Sequence, residues 1–200
     1  MKKSERVESI IKELERLYPT AGCSLTYQNP LQLLIATQLS AQCTDARVNI
    51  VTRDLFKKYR SVQDFANADI KELEEDIRST GFYRNKAKNI IECCRKIISD
   101  FDGNVPDSMD KLLTLPGVGR KTANLVLGDI FNIPGIVVDT HAKRLSNRLD
   151  LTKEQDPVKI EFDLMKIIPE EIWSRFSHQL VLHGRAVCKA RKPDCDICTI

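Results

Sequence analysis

Hydrophobic residues recur at the spacing of α-helices along almost the whole chain. Val7, Ile10 and Leu14 form the first such stripe, and the apolar positions of segment 90–101 form the clearest one. Residues three or four apart share one face of a helix, so each stripe predicts an amphipathic helix with one buried side. The short run 136–138 is instead typical of an extended segment. Taken together, the pattern predicts an all-α protein.

A break in this pattern falls at residues 131–135, where Pro134 and Gly135 interrupt the helices. The chain has 200 residues, enough for one large domain or two small interlocked ones. Apolar residues make up 42% and charged residues 30%, the proportions of an ordinary folded globule rather than a disordered chain. We therefore expect a folded protein with a subdomain boundary near residues 131–135.

The segment 115–124, with the sequence LPGVGRKTAN, lies between two predicted helices. Pro116 fixes one φ angle, while Gly117 and Gly119 permit backbone conformations that other residues resist, so the segment predicts a tight hairpin. The helix that follows begins with unpaired N–H groups and a positive dipole end, which favour an anion such as a phosphate. Lys121 lies at the start of that helix.

Other glycine-rich structures fit this segment less well. A nucleotide-binding P-loop has glycine directly before its lysine, where this chain has Arg120, and it follows a strand. A dinucleotide-binding fingerprint has a third glycine where Thr122 stands, and it also follows a strand. A plain helix–turn–helix corner with an exposed lysine remains an alternative interpretation of the segment. The interpretation that we favour is a helix-hairpin-helix that holds a nucleic-acid backbone without reading bases.

The formal net charge of +3 is too small to indicate nucleic-acid binding by itself. Its distribution is more informative, because basic residues form two local clusters. The clusters are Lys143, Arg144 and Arg148, and then Arg185, Lys189, Arg191 and Lys192. Each cluster taken alone is more often simply a solvated surface.

The segment 138–141 places the carboxylate of Asp139 at the start of a predicted helix. Aspartate is a favoured N-cap, and that structural role alone would explain the residue. Together with Lys121 it has a second interpretation. A lysine nucleophile needs a neutral amine, which a helix N-terminus and a neighbouring cation such as Arg120 favour. A carboxylate opposite it can assist a leaving group and stabilise positive charge that develops on a sugar.

The chain begins with charged residues rather than the apolar core of a signal peptide, and no apolar run approaches the ~18 residues that span a bilayer. We therefore expect a cytoplasmic protein without membrane association. In such a reducing compartment, the seven cysteines argue against a disulfide framework.

Three cysteines are clustered with the spacing C-x6-C-x2-C, and they are Cys188, Cys195 and Cys198. This spacing suits zinc as well as an iron–sulfur cluster. A complete site normally needs a fourth ligand. His183 is a candidate for that ligand, although a core or helix-end histidine is its more ordinary interpretation.

Five segments occur in the order found in the endonuclease III family, which the chain resembles over nearly its whole length. They are 39–42 (LSAQ), 81–87 (GFYRNKA), 115–121 (LPGVGRK), 138–141 (VDTH) and the cysteine loop that starts at residue 188. These proteins are helix-hairpin-helix DNA glycosylases of base excision repair. Each segment alone is only modestly specific for this family, whereas all five in this order are very specific for it.

The resemblance implies two α-helical domains. One is a six-helix barrel over residues 22–132 that includes the helix-hairpin-helix. The other joins residues 1–21 and 133–200 and carries a [4Fe-4S] cluster on Cys188, Cys195 and Cys198. The partner implied is double-stranded DNA with a damaged base or an abasic site, bound in the cleft between the domains by a nucleoid-associated monomer. The family pattern places a fourth cysteine beyond residue 200, so we expect a truncated sequence.

The resemblance also implies a reaction. A lesioned base leaves the duplex, Lys121 attacks the sugar C1′ and forms a Schiff base, and β-elimination then cuts the strand. Asp139 assists Lys121. The implied substrate is an oxidised pyrimidine. A monofunctional glycosylase for mismatched or alkylated bases and a non-catalytic DNA-binding iron–sulfur protein are the alternatives.

Further roles follow from the same resemblance. Gln42 would fill the gap left by the extruded base, and Asp45 would line the base pocket. Phe82 falls where the family usually has a leucine wedge. The other residues that the resemblance assigns to DNA contact are Gly117, Gly119, Arg120, Lys189 and Arg191.

Overall fold

The computed structural model describes residues 2–200, and every regular element in that range is helical. The α-helices of the described residues are α1 (Lys3–Leu17), α2 (Pro30–Leu39), α3 (Asp45–Lys58), α4 (Val62–Ala66), α5 (Ile70–Asp76), α6 (Tyr83–Phe101), α7 (Met109–Leu112), α8 (Arg120–Phe131), α9 (Thr140–Arg148), α10 (Pro157–Met165) and α11 (Trp173–Ala186). The predicted all-α fold is confirmed. No helix within residues 2–200 is long and apolar enough to cross a membrane.

The chain divides into two compact units. The first, called here the hairpin unit, is the continuous segment 24–131. The second, called here the terminal unit, combines residues 132–200 with the N-terminal residues 2–23. Each unit has its own buried core.

The core of the hairpin unit is organised around α2. Leu33, Leu34 and Ile35 are fully buried, because this helix is apolar on every side and packs against α3, α6 and α8. Its start is set by Asn29, whose side chain accepts the Gln32 N–H at 3.0 Å. A side chain of this type satisfies one of the N–H groups that a helix start leaves unpaired. Helices α3, α6 and α8 thus pack around α2, while α4 and α5 pack against α6.

The core of the terminal unit joins α1 to helices more than a hundred residues further along the chain. Apolar residues of α1 pack with Leu145, Leu164 and Phe176, which belong to α9, α10 and α11. The extended run 136–138 is buried in the same unit, and the Val137 N–H donates to the Ser177 hydroxyl at 2.9 Å. This anchoring fixes the backbone directly before α9.

No cysteine within residues 2–200 forms a disulfide. Scattered cysteines are typically small core residues, and this holds for two of the four that lie outside the clustered loop. Cys93 and Cys94 are buried in α6, whereas Cys23 and Cys43 are half-buried. Both half-buried cysteines lie in segments between helices.

Candidate active site

The predicted hairpin lies between α7 and α8. The Val118 N–H donates to the Leu115 carbonyl at 3.1 Å and closes a four-residue turn. Pro116 and Gly117 are the two central residues, and Gly117 has a φ of +74°. Proline followed by a residue at positive φ is the signature of a type II turn. The turn thus lies between the end of α7 at Leu112 and the start of α8 at Arg120.

The two glycines of the hairpin differ in what they require. A Cβ atom on Gly117 would lie 2.9 Å from the Cβ of Asn89 and 3.0 Å from Oε1 of Gln38, so this position excludes a side chain. Gly119 has neither a left-handed backbone nor any atom within 4 Å of an added Cβ. The expectation that both glycines allow a backbone restricted for other residues is correct for Gly117 and wrong for Gly119, where the surface is open.

Lys121 lies in the first turn of α8, and its side chain is exposed. The Ala123 N–H donates to the Gly119 carbonyl at 3.0 Å and begins the helical bonding pattern. The earlier N–H groups of a helix point outward along its axis. Directly after Lys121, residues 122–127 are all buried, so the lysine is carried by a firmly packed helix.

Gln42 and Phe82 lie on the same pocket of the hairpin unit as Gly117. The pocket encloses about 250 Å³ and is lined by Gln38, Ala41, Gln42, Phe82, Asn85, Lys86, Asn89 and Gly117. Gln42 has a φ of +54° and Phe82 a φ of +48°, which are left-handed values that non-glycine residues seldom adopt. The Phe82 ring is 62% exposed, a large fraction for an aromatic side chain.

Asp45 does not line this pocket. It is the first residue of α3, directly after Thr44, whose hydroxyl accepts the Arg47 N–H at 3.3 Å. A carboxylate in the first turn of a helix interacts favourably with the helix dipole. The structure thus gives Asp45 a local role at the helix start.

The sequence analysis missed Lys86 and Gln38, two buried residues that line this pocket. Lys86 is 6% exposed, and Gln38 is equally buried at 6%. The signal at Lys86 was its register, because Ile90, Cys93 and Ile97 follow it on the buried face of α6. A lysine on the apolar stripe of a helix either extends its ammonium to solvent or needs hydrogen-bond partners for it inside the protein.

Asp139 is the N-cap of α9, and one of its carboxylate oxygens accepts the Ala142 N–H at 2.7 Å. The side chain is half-buried. Residues 136–138 before it are buried, so the carboxylate projects from a fixed backbone. The N-cap role anticipated from the residue type is therefore present.

Two arginines of α9 hold the cysteine loop. Arg148 donates through Nη1 to the Cys188 sulfur at 3.3 Å and to the Lys189 carbonyl at 2.8 Å. Arg144 donates to the Cys188 carbonyl from both Nε at 3.1 Å and Nη2 at 2.9 Å. These arginines, which the sequence grouped as a basic cluster, are thus engaged with the loop. Within the loop, Lys189 pairs with Asp194 at 2.8 Å, and Arg191 is exposed.

His183 connects the cysteine loop to α1. It is 2% exposed, and its Nε2 lies 3.6 Å from the Cys198 sulfur, while Nδ1 lies 3.2 Å from the Tyr18 hydroxyl. Burial lowers the pKa of His183. Cys195 is exposed, and Cys188 and Cys198 are half-buried. Within residues 2–200, no three His, Cys, Asp or Glu side chains are grouped closely enough to hold a metal ion together.

Comparison with known proteins decides the family. Residues 35–170 match the model of the HhH-GPD superfamily of base excision DNA repair proteins. The chain belongs to this superfamily. Endonuclease III of Synechocystis sp. is 58% identical over 199 residues, which cover 99% of this chain and 91% of that protein. Endonuclease III of Bacillus subtilis is 45% identical over 197 residues, which cover 98% and 90% of the two chains.

Solved structures of HhH-GPD relatives agree with the fold. A structure of a non-covalent Endonuclease III–DNA complex superposes with a TM-score of 0.96 at 46% identity, and covers 100% of this chain and 94% of the other. A trapped Endonuclease III–DNA covalent intermediate, called an estranged-adenine complex, gives the same TM-score, identity and coverage. The predicted family and the predicted enzyme class, a DNA glycosylase with abasic-site lyase activity, are confirmed.

Proposed function

We propose that this base-excision repair glycosylase and abasic-site lyase removes oxidised pyrimidines from duplex DNA through a Schiff base on Lys121. The observation that carries the proposal is the position of Lys121, exposed in the first turn of α8 directly after the Pro116–Gly117 turn. A protein of the same fold at 46% identity has been trapped as a covalent intermediate with DNA. Such an intermediate requires an enzyme nucleophile, and a lysine amine supplies one.

Lys121 acts first as the nucleophile and then as the amine that carries the iminium. Its neutral amine attacks C1′ of the damaged nucleotide, and the electron pair of the glycosidic bond leaves with the base, which takes up a proton. Opening of the sugar ring then gives an iminium between Lys121 and C1′. Loss of a proton from C2′ expels the 3′ phosphate, which cuts the strand, and water finally releases the lysine. An extruded nucleotide is required throughout, because C1′ is blocked inside the stack.

Asp139 supports this chemistry electrostatically. Its carboxylate is fixed at the start of α9 by the 2.7 Å bond from the Ala142 N–H. A carboxylate held in place stabilises positive charge on the sugar as the base departs, without reorganising at the moment of reaction. It also assists proton removal from the lysine amine. Its N-cap bond and its catalytic role are compatible, since one oxygen satisfies the helix and a carboxylate has two.

DNA is gripped through its backbone in this proposal. Gly119, the residue directly before α8, has open space around it. The N-terminal end of α8 therefore offers its N–H groups and Arg120 to a phosphate. Gln42 and Phe82 enter the duplex where the damaged base has left. On the cysteine loop, Lys189 and Arg191 add sequence-independent attraction to phosphates, which weakens as salt concentration rises.

We further propose that Cys188, Cys195 and Cys198 hold a [4Fe-4S] cluster. The chemistry of the donors fits this group, because three soft thiols lie in one basic loop, although within residues 2–200 they are not grouped around one point. Arg148 and His183 approach two of the sulfurs. Thiolates carry negative charge onto such a cluster, and nearby N–H donors stabilise it. The cluster contributes structure by fixing the loop that carries Lys189 and Arg191.

The experiment that tests the substrate class is a panel of duplexes, each with one defined lesion. The protein is predicted to excise an oxidised pyrimidine and to cut the strand at the same site. Lys121→Gln is predicted to abolish strand cutting, while Lys111→Gln, on the other helix of the hairpin, keeps it. Excision of only mismatched or alkylated bases without cutting would favour a monofunctional glycosylase. Binding that ignores lesions, with no excision, would instead indicate a non-catalytic DNA-binding protein.

A further inference from the structure

Lys86 is a buried lysine that the proposed chemistry does not use. Its ammonium donates to the Leu39 carbonyl at 2.7 Å and to the Thr80 carbonyl at 2.9 Å. Burial lowers the pKa of this ammonium. Removing a charged group from water is unfavourable, so a lysine remains in such a place only where its bonds to the protein compensate. The side chain therefore joins two separate segments of the hairpin unit to α6.

The two carbonyls share a structural position. Leu39 is the last residue of α2, and Thr80 is the last residue of the 3-10 turn Arg78–Thr80. A helix end of this kind carries partial negative charge on its carbonyls, which a cation stabilises. Lys86 itself lies in an early turn of α6, where a cation is unfavourable for its own helix. Its placement is thus explained by the two ends that it joins.

Shortly after each of these carbonyls the chain adopts a left-handed conformation. Gln42 lies three residues after Leu39, and Phe82 lies two residues after Thr80, with φ values of +54° and +48°. Non-glycine residues keep such conformations only where their surroundings fix them. Phe82 is also the residue directly before α6, and its carbonyl accepts the backbone N–H of Lys86 at 3.1 Å, so the side chain that reaches Leu39 and Thr80 starts from the same helical turn.

We propose that Lys86 is a positioning residue that fixes the separation and direction of Gln42 and Phe82. This inference rests on the proposed function, in which those two side chains enter the DNA. Lys86 lines the same pocket of about 250 Å³ as Gln42 and Phe82, on its buried side. Loss of the ammonium leaves two helix-end carbonyls without their donor and releases both segments. Insertion into the duplex then fails, while the Lys121 amine is untouched.

The test measures unstacking of DNA directly. A duplex carries one abasic site with 2-aminopurine beside it, whose fluorescence rises when its neighbour is unstacked. All proteins carry Lys121→Gln so that the strand is not cut, and all are used at saturating concentration. Adding Lys86→Met is predicted to reduce the fluorescence rise to roughly half or less, since small displacements of a positioned group have large effects. Adding Lys88→Met, an exposed lysine of the same helix, leaves the rise unchanged.

The outcomes separate this inference from the proposed function. A full fluorescence rise with Lys86→Met would overturn the positioning role alone. No rise with Lys121→Gln itself would overturn insertion by Gln42 and Phe82, and this inference with it.

A further variant controls for loss of stability. Leu73→Ala removes a fully buried side chain of the same unit and is predicted to destabilise the fold without reducing the fluorescence rise. An equal reduction with Leu73→Ala would assign the effect of Lys86→Met to general destabilisation. Should Lys86→Met fail to fold, Lys86→Gln keeps an uncharged NH2 group at this position. It is then predicted to reduce the fluorescence rise in the same assay, and an unchanged rise would overturn the proposal.

Discussion

At the residue scale, the hairpin shows how far local sequence determines geometry. Proline followed by glycine predicts a turn with positive φ at its second central residue, and Gly117 has that conformation. The same reasoning fails at Gly119, whose backbone is unrestricted, because spacing alone cannot distinguish a strained glycine from one that leaves a surface open.

Gly117→Ala and Gly119→Ala make a matched pair that tests this difference. The first places a Cβ on a left-handed backbone and 2.9 Å from Asn89, so it is predicted to lower the free energy of unfolding by about 1–2 kcal/mol or more. The second has open space and is predicted to change stability by less than about 0.5 kcal/mol. Denaturant unfolding of both variants checks the prediction. Equal losses would contradict the assigned backbone geometry.

Lys86 and Gln38 show what single residues cannot reveal from sequence. Both lie on the buried face of their helices, and their burial is decided by neighbours from distant segments. Lys86 meets a carbonyl 47 positions earlier in the chain. The register of Lys86 on the α6 stripe indicated that it is buried, but not which groups it contacts.

At the scale of elements, helical periodicity and capping residues were sufficient for most of the structure. Asn29, Thr44, Ser61 and Asp69 are residue types that favour the N-cap position, and each accepts an N–H bond at the start of its helix. The cysteine loop is different, because its 3-10 turn Cys195–Ile197 is short and it is held by arginines of α9. Hydrophobic periodicity does not predict the structure of a segment of this kind.

The cysteine loop gives a prediction for Arg148. Replacing it with methionine removes the donor to the Cys188 sulfur and to the carbonyls of Lys189 and Ala190. We expect Arg148→Met to lose iron to a chelator several-fold faster than the parent protein, since groups around the ligands typically change metal affinity by about 10–100-fold. The decay of the visible absorbance band measures the rate. Lys192→Met, an exposed change in the same loop, serves as the control, and equal decay would contradict the role of Arg148.

At the scale of the whole molecule, the sequence predicts helices but not how they associate. The apolar face of α1 shows that this helix is packed, and its partners are α11 and other helices far along the chain. An ion pair between Glu15 and Arg175 at 2.8 Å adds to that packing. Contacts across such a distance in sequence depend on the complete fold. The expected domain limits and the expected catalytic pair rest on the family resemblance.

The proposed reaction depends most on covalent chemistry at Lys121. The measurement that tests it most directly is borohydride trapping on a duplex with one abasic site. Borohydride reduces an iminium between enzyme and sugar to a stable bond, so a covalent adduct is predicted for the parent protein and for Lys111→Gln. Lys121→Gln is predicted to form none while still binding the duplex. An undiminished adduct with Lys121→Gln, or no adduct from folded parent protein, would contradict Schiff-base formation at Lys121.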